Sequence, residues 1–77
     1  MTQTSNNDEK VQRFSALLVA NHRRIYGFIL TLVHDRTAAE DIQQDVSTVL
    51  WQKFDTFEIG TDFAAWAMAV SRLTILN

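Results

Sequence analysis

From Val11 to Leu32 the apolar residues hold a single helical phase, and no proline interrupts the chain anywhere. At about 100° per residue, Val11, Phe14, Leu17, Leu18, Ile25, Phe28, Ile29 and Leu32 share one arc. Gln12, Arg13, Ala16, Ala20, Arg23 and Gly27 take the other side. Proline is the commonest interrupter of helices, so its absence makes long helices the expected elements. The stretch reads as one long helix, or as two nearly collinear ones broken at Asn21-His22.

Two further segments follow. His34-Asp35-Arg36-Thr37 opens the second, and Thr37 with Glu40 has the spacing of a capping box. Its apolar arc is Ile42, Val46, Val49, Leu50 and Phe54, with an end expected around Phe54 to Thr56. Asp55 to Thr61 reads as a loop in which Gly60 supplies a turn. Asp62 is placed to cap a third helix with Phe63, Trp66, Ala67, Val70 and Leu73 as its inward stripe. No stop signal follows, so a domain truncated at its C-terminus is expected. Residues 1–8 read as a disordered leader, with order from Glu9 and Asn7 or Asp8 as a cap. A chain of 77 residues supports one core. The expected architecture is therefore all-α, a compact bundle of three main helices over 9–77.

Composition narrows the function. Without cysteine, neither disulfides nor thiolate metal sites are available, which agrees with a reducing cytosol. No run approaches the roughly 18 apolar residues of a membrane span, and Met1 to Asn7 lacks a signal-peptide pattern. His22 and His34 are too far apart for a helical metal pair, and no nucleophile, base and orienter recur together. Both histidines read as surface or capping residues, and no enzyme activity, metal or cofactor is expected. The net charge of −2 argues against a domain that grips duplex DNA by bulk electrostatics. Seven acids between Asp35 and Asp62 face only Arg36 and Lys53, a balance that suits a basic protein partner.

The candidate interaction residues lie on the second and third helices. Asp41, Gln44, Asp45, Thr48 and Trp51 occupy one face almost opposite the apolar arc. Acids and glutamines are common on any solvated face. An exposed tryptophan among them has the composition of an interface hot spot, the competing reading being burial of Trp51 by the first or third helix. On the third helix, Phe63 and Trp66 read as core. Its outer side carries Ala65, Met68, Ala69, Leu76 and Arg72, small and nearly uncharged. Such a surface suits another protein element or unstacked bases, and equally a boundary left by truncation.

Ala39-Glu40-Asp41-Ile42-Gln43-Gln44-Asp45-Val46 resembles the AEDLVQE-type signature of bacterial RNA polymerase sigma factors of the sigma-70 family. Aromatic-rich Leu50-Trp51-Gln52-Lys53-Phe54 and Phe57 follow, and Phe63-Ala64-Ala65-Trp66-Ala67 resembles the family's FRAWL-type segment at the family's distance. Two motifs in the right order are far more specific than either alone. The likeness, over roughly 11 to 77, is to region 2 of the extracytoplasmic-function type.

That resemblance implies a cytoplasmic helical module of transcription initiation, whose second helix docks on the clamp coiled coil of the largest subunit of core RNA polymerase. Its later part captures the single-stranded non-template strand of the −10 promoter element. Asp41, Gln44, Asp45 and Trp51 then match docking positions, with Thr48 on the same face. Thr61, Ala65, Met68, Ala69 and Arg72 lie toward melted DNA. An anti-sigma factor is a further implied partner, and a membrane is not. Asp45 stands in place of the usual glutamate, Leu73 where an asparagine is common, and Met68 where an aromatic is frequent. Without the family's basic continuation and its helix-turn-helix domain, the chain is expected to hold the polymerase but to read a promoter poorly. Without the resemblance, the residues describe a helical interaction, dimerisation or anti-sigma-like module.

Overall fold

A computed structural model describes residues 5–76. Three helices run up, down and up: α1 Ser5–Val33, α2 Arg36–Gln52 and α3 Phe63–Leu76, with a 3₁₀ turn at Phe54–Thr56 between the last two. Residues 1–4 of the expected leader lie outside the described residues. Ser5 to Asp8 are already helical, so order begins before Glu9.

α1 is continuous, without a break at Asn21-His22. The Asn21 side chain donates from Nδ2 to the Leu17 carbonyl one turn back (2.8 Å), so its hydrogen-bonding capacity is spent inside the helix and not in competition with it. Phe14, Ile25 and Ile29 are buried, and Leu17, Leu18, Tyr26 and Leu30 flank them. Val11 and Leu32, at the two ends of the expected arc, are exposed. A helix of 29 residues spans roughly 43 Å and outreaches its 17- and 14-residue partners.

The junction between α1 and α2 does without glycine or proline. His34 takes a left-handed conformation (φ 59°) and donates its backbone N–H to the Leu30 carbonyl (2.8 Å), ending α1. Asp35 is then extended, and its carboxylate accepts from the Ala38 N–H at 3.0 Å. The cap of α2 is therefore Asp35, and Thr37 lies inside the helix, where its expected capping role falls away. An aspartate two residues earlier supplies both the acceptor and a charge favourable to the helix N-terminus.

α2 buries Ala39, Gln43, Val46 and Leu50, with Ile42 and Val49 as half-buried flanks of the expected arc. Phe54, at its end, is core. Gly60 (φ 96°) makes the turn before α3, and Asp62 accepts from the Ala65 N–H (3.2 Å) as the expected cap. The buried stripe of α3 is Phe63, Ala64, Ala67 and Ser71, which corrects the expected phase. Trp66 and Val70 are half-buried, and Leu73 is 63% exposed. Small residues let α3 approach its neighbours closely, and the buried Ser71 hydroxyl is satisfied by the Ala67 carbonyl (2.6 Å).

One end of the bundle is an aromatic cluster. Phe14 meets Phe54 edge-on at 5.1 Å and Trp51 at 5.3 Å between centroids, while Phe57 meets Phe63 at 5.3 Å and Trp66 at 5.2 Å. These rings anchor the loop before α3 to the N-terminal half of α1, and so position both candidate surfaces.

Candidate interaction surfaces

Asp41, Gln44, Asp45 and Thr48 are all exposed on one side of α2, opposite Ala39, Val46 and Leu50. Their spacing of three, four and seven residues makes them one row. Among the described residues the ion pairs are Lys10–Asp55 (3.3 Å) and Arg24–Asp62 (3.9 Å), so neither Asp41 nor Asp45 is neutralised by a neighbour. Gln52, four residues past Thr48, is exposed and continues the row. The sequence reading omitted it, although the same i+4 spacing points to it.

Trp51 does not stand free on that face. Ten residues beyond Asp41, it is rotated about 80° from it, onto the flank of the row. Its ring packs on Phe14, and the Lys10 ammonium sits 4.5 Å from the ring centroid. The competing reading, burial by the first helix, is the one the geometry bears out for half of this side chain.

On α3, Ala65, Ala69 and Arg72 are exposed and Met68 is half-buried, one stripe to which Leu76 adds 68% of its surface. Arg72 is its one cation. Thr61 belongs to the loop, and its hydroxyl donates to the Glu58 carbonyl (2.6 Å). It borders a groove of about 690 Å³ between the loop and the Gln12, Arg13 and Ala16 side of α1, apart from the α3 stripe.

A third feature lies between α1 and α2. Gln43 is 8% exposed and donates from Nε2 to Nδ1 of His22 (2.8 Å), whose ring is parallel to that of Tyr26 at 6.4 Å and 10°. A glutamine on the buried side of a helix requires such a partner. Its position between Ala39 and Val46 was the signal that sequence reasoning passed over. His22 is thus a surface histidine tied to α2, and His34 a capping one.

A family model described as sigma-70 region 2 matches residues 17–77. No curated protein and no solved structure matches the chain. The matched stretch contains the whole of α2 and α3 and begins within α1, leaving Ser5 to Ala16 outside it.

Proposed function

Because the chain belongs to the sigma-70 region 2 family, and so serves a sigma factor's role in promoter recognition, we propose that it docks on RNA polymerase through α2. The site on core polymerase is the clamp coiled coil of the largest subunit, and the acidic row meets basic side chains there. The single observation carrying this reading is the row itself: Asp41, Gln44, Asp45 and Thr48 are exposed together, with two carboxylates that no cation in the described residues neutralises. Unpaired surface acids steer a basic partner and fix its register. Trp51 contributes its outer edge at the flank. Gln52 extends the contact.

The loop before α3 and the stripe Ala65, Met68, Ala69 and Arg72 then face the −10 element, with Thr61 at the loop's end, and help to hold the opened non-template strand. The role is one of binding in the cytoplasm, of the extracytoplasmic-function type, and an anti-sigma factor would compete for the α2 row. No helix of the described residues is long and apolar enough to cross a membrane.

Titrating core polymerase with fluorescently labelled chain tests the reading. Saturable binding that weakens as salt rises supports it. A folded chain that shows no binding at low salt removes the docking assignment and leaves a general helical interaction module.

A further inference from the structure

Both ion pairs among the described residues join a cation of α1 to an acid of the segment between α2 and α3. Lys10 meets Asp55 at 3.3 Å where that segment begins, and Arg24 meets Asp62 at 3.9 Å where it ends. The two cations lie roughly 21 Å apart along the helix axis and, at about 100° per residue, within about 40° of each other around it. Arg13 falls between them on the same edge of α1, where it lines the loop grooves together with Phe57 and Ile59. The loop thus lays a carboxylate on two of the three cations of this edge.

We propose that Asp55 and Asp62 stand in for nucleic-acid phosphates, occupying Lys10 and Arg24 so that this edge of α1 does not hold nucleic acid indiscriminately. Phosphate contacts supply affinity without sequence information, and cations gathered along one helix edge are the footprint of such binding. In a chain of a family that recognises promoters, cancelling that footprint favours the surface that reads bases. The device is separate from the α3 stripe, because neither cation belongs to it.

The chemistry of the two acids supports a role for charge. Asp55 is 81% exposed, and its carboxylate has Lys10 as its partner and caps no helix. Asp62 caps α3 with Oδ1, which accepts from the Ala65 N–H, and reaches Arg24 with Oδ2. Capping needs one acceptor, and asparagine supplies it as well as aspartate does, so the cap alone does not require a charge. Pairs this exposed are weak and exchange readily, which lets the acids compete with a phosphate without sealing the cations away.

The test measures the affinity of the whole chain for a fluorescently labelled single strand of non-promoter sequence, by anisotropy across a salt series. Asp55→Asn with Asp62→Asn should raise affinity about tenfold at low salt. It should also steepen the log–log salt slope from about −0.7 to about −2, as two further phosphates are neutralised. Asp35→Asn with Glu40→Gln, at the start of α2, raises the net charge equally and keeps the cap, yet should gain less than about twofold. Adding Lys10→Gln and Arg24→Gln to the first variant should remove its gain. Asp55→Asn alone should give about threefold and a slope steeper by about 0.7, so the result does not depend on α3 tolerating a change at its cap. Equal gains from the two charge-matched pairs overturn the proposal in favour of net charge. No gain from either overturns it too, the carboxylates then only fastening the loop. A gain that survives Lys10→Gln and Arg24→Gln does the same, since the acids would then repel the strand directly. Binding of a −10-like strand by the parent chain is read separately, and its absence removes the α3 reading while leaving this one in place.

Discussion

The ammonium of Lys10 lies 4.5 Å from the centre of the Trp51 ring and 3.3 Å from a carboxylate oxygen of Asp55. It ties a turn of α1 outside the family match to the end of α2. Two contacts compete as the cause of any stabilisation, and exposure separates them. Asp55 is 81% exposed, where an ion pair contributes little, whereas the ring face is partly shielded by Lys10 itself. Lys10→Ala should therefore cost about 1 kcal/mol and Asp55→Ala less than about 0.5 kcal/mol in urea denaturation. Equal losses would assign the stabilisation to the ion pair.

Gly27 sits within α1, and a Cβ built there meets no atom within 4 Å. Nothing in the packing needs the glycine. Gly27→Ala should raise stability by about 0.5–1 kcal/mol, by lowering the entropy of the unfolded chain and favouring helix. A lower melting temperature for this variant would mean that the helix closes on a neighbour there.

The start of α2 gives a sharper test, because two residues compete for one role. Asp35→Ala should cost about 1 kcal/mol by orphaning the Ala38 N–H, while Thr37→Ala should be close to neutral. The reverse ranking in chemical denaturation would restore the Thr37 capping box.

These positions show what was legible in the residues and what was not. Helix number and order, the Asp62 cap, the Gly60 turn and the exposed row of α2 all follow from periodicity and turn chemistry, which are local. The misses depend on what packs against what. The inward stripe of α3 reads in the sequence as Phe63, Trp66, Ala67, Val70 and Leu73; Phe63 and Ala67 are buried, but Ala64 and Ser71 take the remaining places while Trp66 and Val70 are half-buried and Leu73 is exposed, since close approach favours small side chains over large apolar ones. Gln43 is buried because His22, 21 residues earlier, supplies its partner. Trp51 turns to the core because Phe14 and Lys10 offer a ring and a cation. His34 ends a helix without a glycine, a conformation that costs an L-residue roughly 1–2 kcal/mol and that composition does not announce.

For nucleic acid, the α3 stripe has a single cation, Arg72, in a chain of net charge −2. Binding to a single-stranded −10-like oligonucleotide should be weak, with a salt slope near that of one neutralised phosphate, about −0.7 in log–log form. Duplex should bind more weakly still. Anisotropy across a salt series reads both, and Arg72→Ala should flatten the slope. A steep slope, or preference for duplex, would place the DNA surface elsewhere on the chain.

The acidic row separates binding from folding, because its members are exposed and make no ion pair among the described residues. Asp41→Lys and Asp45→Lys should leave the circular dichroism of the chain unchanged and weaken core polymerase binding by about 2 kcal/mol or more, most strongly at low salt. Trp51→Ala behaves differently. Its ring is half-buried against Phe14, so it should lose stability as well as affinity, by about 3 kcal/mol for the truncated aromatic. Gln12→Ala and Arg13→Ala, beside the loop groove and away from the row, should leave polymerase affinity as it is. If both charge reversals fold and bind like the parent while Arg13→Ala weakens binding, the partner lies on the loop side of α1 and the docking face moves from α2 to that groove.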